Sequence, residues 1–201
     1  MTTQKVKPSG LQKLFEDQVA DFYYAEKKLV SALKKMATKA NDKKLSAAFL
    51  SHREETEGHL KRLEQVFEIL DKKAKGKKCD AMDGLVKEAE GIIEEFKDDP
   101  ALDAALICAA QKVEHYEIGS YGSLATYATE LGFKDAAKLL HATLKEEKAC
   151  DEKLTKLAEN SLNTAGEAHR GRDAKDSKSK ASGKPESLNK IKQIRTPSTV
   201  G

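Results

Sequence analysis

Residues 11–36, LQKLFEDQVADFYYAEKKLVSALKKM, place Leu11, Leu14, Phe15, Val19, Phe22, Leu29, Leu33 and Met36 at helical spacing, along one face of a helix. One carboxylate, Glu26, stands inside that stripe, four residues after Phe22 and three before Leu29. An apolar face of this length predicts a long amphipathic helix packed against others, with one charged group turned toward their core. The run stops at Ala40-Asn41-Asp42.

Three more blocks repeat the pattern. The second runs Leu45, Phe49, His52, Glu55, Thr56, His59, Leu63, Val66, Leu70 and ends in a lysine-rich turn at Gly76. The third opens at Asp99-Pro100, an N-cap followed by proline at the first helical position, and runs Leu102, Leu106, Ala110, Val113, Glu117, Tyr121, Leu124, Ala128 to Gly132. The fourth runs from Asp135 through Leu140, Leu144, Glu147, Asp151 and Leu154 to Ala158. Turns of a few residues at 41–43 and 132–134 make the helices antiparallel neighbours in two hairpins. The link from Asp71 to Asp99 is far longer, and Met82, Leu85, Ala89, Ile92, Ile93 and Phe96 inside it predict a short extra helix. The expected fold is all-α: a four-helix bundle of two antiparallel hairpins joined by one long crossover, the ferritin-like topology.

Composition agrees with that outline. The chain has 201 residues, 34% charged and 39% hydrophobic, with 5% aromatic residues, 4 Pro and no Trp, which suits long helices and disfavours an all-β fold. No apolar stretch nears the roughly 20 residues of a membrane span, and the start MTTQKVKPSG lacks the apolar core of a secretory signal, so the expectation is a cytoplasmic protein. Cys79, Cys108 and Cys150 are odd in number and form no CxxC pair, which predicts reduced thiols. The net charge of +3 is uneven: from Asn160 onward nine Lys or Arg face four Asp or Glu, so the tail carries +5 and residues 1–159 carry −2. The tail has no aromatic residue and too few apolar ones to offset its ordering entropy. The domain plan is a disordered 1–10, a bundle over 11–159 and a basic, mostly disordered 160–201. Basic strings such as KKAKGKK attract phosphates only through charge and lack aromatic partners for stacking, which favours a solvated linker over a nucleic-acid site.

Each stripe is broken near its middle by a carboxylate: Glu26, Glu55, Glu117 and Glu147, with Glu114 one turn before Glu117. The offset from Glu26 to Glu117 is 91 residues and that from Glu55 to Glu147 is 92, so the hairpin occurs twice, with His59 mirrored by Asp151. Two such hairpins bring four inward carboxylates to one level. Unpaired buried charges cost several kcal/mol each, and no Lys or Arg shares these stripes, so metal is the resolution the residue types favour. Carboxylates with imidazole suit iron or manganese. The candidate ligands are Glu26, Glu55, His59, Glu114, Glu117, Glu147 and Asp151, with His52 a rival to His59. Glu55 and Glu147 are expected to bridge two metal ions, and Glu26 and Glu117 to complete one each. Cys150 reads as a small buried hydrophobe or as a soft ligand.

The strings LQKLFEDQVADFYYAEKKL, HREETEGHLKRLE, KCDAMDGLVKEAE and AAQKVEHYEIGSYGSL resemble the YciE/YciF group of bacterial ferritin-like proteins over about residues 10 to 160. That resemblance implies a four-helix bundle with a di-metal site, a dimer and a link to stress responses, without an established reaction. More distantly the chain resembles rubrerythrin, whose Glu-x-x-Glu on the third helix corresponds to Glu114 and Glu117. The common ferritin-like Glu-x-x-His motif is altered, because Gly58 follows Glu55 by three and Cys150 follows Glu147 by three. Two functions are expected from these readings: reaction of two metal ions with oxygen or peroxide, or metal binding and scavenging without turnover.

Overall fold

The computed structural model describes residues 9–162, and among these every regular element is helical. The order is α1 Gly10–Lys39, α2 Lys43–Ile69, α3 Asp80–Phe96, α4 Leu102–Glu130 and α5 Lys134–Leu157, closed by a π-helical turn at Ala158–Leu162. The expectations for residues 1–8 and for the basic tail beyond 162 lie outside the described residues.

Local chemistry sets the helix ends. Ser9 Oγ accepts from the Gln12 N–H at 3.1 Å and starts α1. Asp42 accepts from the N–H groups of Lys44 and Leu45 at 2.7 and 2.9 Å and starts α2. The fourth helix begins two residues later than Asp99-Pro100 suggests. Asp99 spends its side chain on the Ala101 N–H at 2.7 Å and its carbonyl on the Leu102 N–H at 3.0 Å, closing a turn ahead of the helix. After α4, Gly132 takes φ +79°, a left-handed conformation that glycine adopts without a Cβ penalty.

On each of the four long helices one row of buried side chains steps alternately by four and three residues. On α1 they are Phe15, Val19, Phe22, Glu26, Leu29, Leu33 and Met36, and on α2 Leu45, Phe49, His52, Thr56, His59, Leu63 and Val66. On α4 they are Asp103, Ile107, Ala110, Glu114, Glu117, Tyr121, Leu124 and Ala128, and on α5 Ala136, Leu140, Thr143, Glu147, Cys150 and Leu154. This 3.5-residue average is the seam that near-antiparallel helices present to one another. The pairs α1–α2 and α4–α5 form the hairpins, and α2 packs against α5. Crossover helix α3 lies against α1 and α4, held by Tyr24 donating to Asp83 at 3.0 Å and by ion pairs Lys28–Asp83 and Lys35–Glu90 at 3.3 and 2.9 Å.

Two apolar zones divide the interior. One gathers Leu29, Leu33, Leu45, Phe49, Met82, Leu106 and Leu154; the other gathers Phe15, Phe22, Leu63, Val66, Leu124 and Leu140. The inward Glu and His residues fall between them in sequence on every long helix. The α1–α2 turn is fastened to α4 by buried Asp103, which accepts from the Asn41 and Asp42 N–H groups at 2.8 Å each. No described helix is long and apolar enough to cross a membrane.

Candidate metal centre

Between the apolar zones, one seam position on α1, two on α2, two on α4 and one on α5 are filled by groups that elsewhere seek water. Glu26, His59, Glu117 and Glu147 are 0% exposed, Glu114 1% and His52 2%. The donor atoms form two sets, each within 4.8 Å: Glu26, His59 and Glu147 in one, His52, Glu114, Glu117 and Glu147 in the other. Glu147 belongs to both. Its Oε1 lies 3.0 Å from His59 Nδ1 and its Oε2 lies 3.6 Å from His52 Nε2. Glu26 Oε1 lies 3.5 Å from His59 Nδ1, and Glu114 Oε1 3.2 Å from His52 Nε2.

These approaches lack the alignment of hydrogen bonds. Glu26 Oε2, His52 Nε2, His59 Nδ1, Glu114 Oε2 and both carboxylate oxygens of Glu117 and Glu147 are buried without a hydrogen-bond partner. Buried polar atoms are ordinarily paired, and orphans concentrated at one level ask for a cation. Four carboxylates and two neutral imidazoles are balanced in charge by two divalent ions.

The outer nitrogens of the imidazoles are satisfied, which orients the inner ones. His52 Nδ1 lies 3.2 Å from Glu55 Oε2, and His59 Nε2 lies 3.0 Å from Glu146 Oε2. Arg62 clamps Glu146 at 2.6 and 2.7 Å and also donates to Thr143 at 3.1 Å. An imidazole donating its outer N–H to a carboxylate presents an inward lone pair, the arrangement of carboxylate–histidine–metal triads. Tyr121, also fully buried, donates to Glu26 Oε1.

Without a cation the cluster's environment favours the protonated forms of these groups. Burial, and then the charges of Glu147, Glu26 and Glu114, push the Glu117 carboxyl well up, and burial raises Glu26 and Glu147 against the opposing pull of His59. For His59, burial opposes the charged ring but contacts with Glu147 and Glu26 outweigh it and lift the ring to about 10. His52 is raised well above its ordinary value, with burial outweighed by Cys150, Glu114 and Glu55. The outer carboxyls move the other way: His52 lowers Glu55, and the Arg62 guanidinium lowers Glu146.

The structure thus brings Glu26, His59, Glu114, Glu117 and Glu147 together and adds His52, the rival to His59, beside rather than instead of it. Glu55 and Asp151 it does not bring in. Glu55, expected inside as a bridge, has its side chain 44% exposed and backs His52 from outside. The alternating step along α2 carries His52 to Thr56 and on to His59, so Thr56 is the inward residue and Glu55 sits about 100° away around the helix. On α5 the same step carries Glu147 to Cys150, leaving Asp151 on the flank. There it accepts from Gln111 at 3.0 Å and lies 3.4 Å from His115. Single three- or four-residue spacings admit both flank and seam positions; strict alternation along the helix separates them. That alternation is the signal by which Cys150 could have been placed.

Comparison with known proteins supports the fold. A protein from Escherichia coli strain K12, YciF, is 51% identical over 158 residues, covering 78% of this chain and 95% of YciF. The crystal structure of that E. coli stress protein superposes with a TM-score of 0.73 over 79% of this chain and 99% of its own. YcfI from Rhodopseudomonas palustris is 41% identical, with a TM-score of 0.70 over 77% of this chain and 98% of its own. A Xanthomonas campestris protein at 20% identity and a TM-score of 0.57 shares the fold. Residues 10–167 match DUF892, described as a domain of unknown function, and with that match and the extent of identity to YciF this chain is a member of the DUF892 family.

Proposed function

We propose that the protein is a two-metal carboxylate–histidine protein acting in a stress response, with iron or manganese as the resident ions and dioxygen or peroxide as the small oxidant it meets. The observation that carries this reading is Glu147, a wholly buried carboxylate shared by two sets of donors in which Glu26 Oε2, His52 Nε2, His59 Nδ1, Glu114 Oε2 and both oxygens of Glu117 and Glu147 have no hydrogen-bond partner. Glu26 and His59 would hold one ion, and His52, Glu114 and Glu117 the other. Two redox-active ions held by these residues would supply one-electron redox chemistry at adjacent positions.

The chain's own residues do the rest. Glu55 and Glu146 fix the tautomers of His52 and His59, and Arg62 keeps Glu146 ionised. Tyr121 holds the orientation of Glu26 and is the nearest hydroxyl from which a proton can be exchanged with that carboxylate. The apolar zones on either side exclude bulk water.

Protein loaded with iron or manganese should consume peroxide over many turnovers. Consumption stopping at one equivalent per site would end the enzymatic reading and leave metal binding or scavenging without turnover. One observation favours that second reading: every inward donor is at most 2% exposed, so an oxidant needs the bundle to open before it meets them. The E. coli relative is described as a stress protein, and we extend that role, with a cytoplasmic location and a homodimer, to this chain as part of the proposal. Mass measurement in solution tests the dimer.

A further inference from the structure

A third set of donors lies beside the two that share Glu147. His52, Glu114 and Cys150 bring one atom each within 4.8 Å of one another, and all three residues are buried. Cys150 joins this set and not the one containing Glu117 and Glu147. Two of its members are unsatisfied: His52 Nε2 and Glu114 Oε2 are buried without a hydrogen-bond partner, in residues 2% and 1% exposed. We propose that His52, Glu114 and Cys150 form an alternative position for a thiolate-preferring divalent ion of the zinc class, exclusive of the oxygen-rich position beside it. This rests on the metal-binding reading above and assigns Cys150 as a ligand.

The donor chemistry separates the two positions. A neutral imidazole nitrogen has one lone pair, so His52 Nε2 serves either the ion held by Glu117 and Glu147 or the ion held by Cys150. Thiolate sulfur selects zinc and similar soft or borderline ions, whereas carboxylate-rich sets suit manganese and iron. Tetrahedral zinc with Zn–N and Zn–O bonds of about 2.0–2.1 Å sets those donors roughly 3.3 Å apart. Here His52 Nε2 and Glu114 Oε1 are 3.2 Å apart. Three protein ligands leave a fourth position open. Binding replaces the S–H bond of Cys150 and the Nε2–H bond of the protonated His52 ring by bonds to the metal and releases both protons to solvent, with no change of oxidation state. Zinc held there takes His52 from the neighbouring position, so zinc and the redox-active ions compete through one side chain.

The test uses the full chain carrying Cys79→Ser and Cys108→Ser, which leaves Cys150 as the only thiol. Cobalt(II) added to metal-free protein should produce a near-ultraviolet sulfur-to-cobalt charge-transfer band that zinc abolishes. Cys150→Ser should lack the band and bind zinc at least about tenfold more weakly, the low end for losing even an outer partner of a ligand, with manganese affinity unchanged. X-ray absorption of the zinc-loaded protein, which does not depend on the Cys150 variant folding, should show one sulfur at about 2.3 Å. Cobalt or zinc bound through oxygen and nitrogen alone overturns the Cys150 assignment and leaves the two-metal reading standing. Failure to bind cobalt, zinc or manganese at all brings down both.

Discussion

Glu147→Gln separates a shared carboxylate from an ordinary buried one. In the parent, two ions at a hundredfold excess over their dissociation constants stabilise the fold by about 2.7 kcal/mol each, or about 5.4 kcal/mol together. For a bundle of this size each kcal/mol moves Tm by about 2–4 °C, so loading should raise Tm by roughly 11–22 °C. The amide keeps the shape of Glu147 but weakens both donor sets, since Oε1 faces His59 and Oε2 faces His52. If each affinity falls about a hundredfold, the gain at the same metal concentration shrinks to about 0.4 kcal/mol per ion, or roughly 2–3 °C. The metal-free variant should melt slightly above the metal-free parent, by on the order of 1 kcal/mol, because one of four buried carboxylates no longer repels the others. Glu26→Gln weakens only one set, and Glu95→Gln on the exposed face of α3 should change nothing. Calorimetry with and without manganese, alongside metal analysis, reads all three. Retention of the full Tm gain in Glu147→Gln, or loss of one ion with the other kept at parent affinity, refutes the sharing of Glu147.

Metal-free protein should lose stability as pH rises. The buried carboxyls of Glu26, Glu117 and Glu147 and the rings of His52 and His59 are all raised above their unfolded values, so the folded state keeps more protons. The loss begins above about pH 4.5 for the carboxyls and pH 6.5 for the imidazoles and continues for His59 to about 10, at roughly 1.4 kcal/mol per pH unit for each extra proton held. Denaturant melts from pH 5 to 9 check the slope, and a flat or rising profile contradicts it. Glu55→Gln and Glu146→Gln should lower metal affinity about 10–100-fold without changing the number of ions bound, as outer partners of His52 and His59. If Glu55→Gln removes one ion entirely, Glu55 is a ligand itself. Asp103→Ala should cost about 2–4 kcal/mol in urea melts, since it strands two backbone N–H groups of the α1–α2 turn that the carboxylate accepts at 2.8 Å.

The helices, their order and the long crossover are legible in the amino-acid sequence alone, because the 3-and-4 repeat of apolar residues and the lengths of the turns are local properties. So are Glu26, Glu117, Glu147 and His59 as residues on the inward stripes. The register of one helix against another is not. It is set by how side chains such as Phe22, Leu63, Leu124 and Leu140 pack together from elements far apart in sequence. That packing puts Glu146 on the outer nitrogen of His59 and Cys150 beside His52 and Glu114, while Glu55 and Asp151 lie on the flanks because they stand one residue off the alternating rows of α2 and α5. A carboxylate three residues from one stripe position and four from the next reads as inward along the sequence. A rotation of about 100° per residue separates seam from flank, and a neighbouring helix must be in place before either has a meaning.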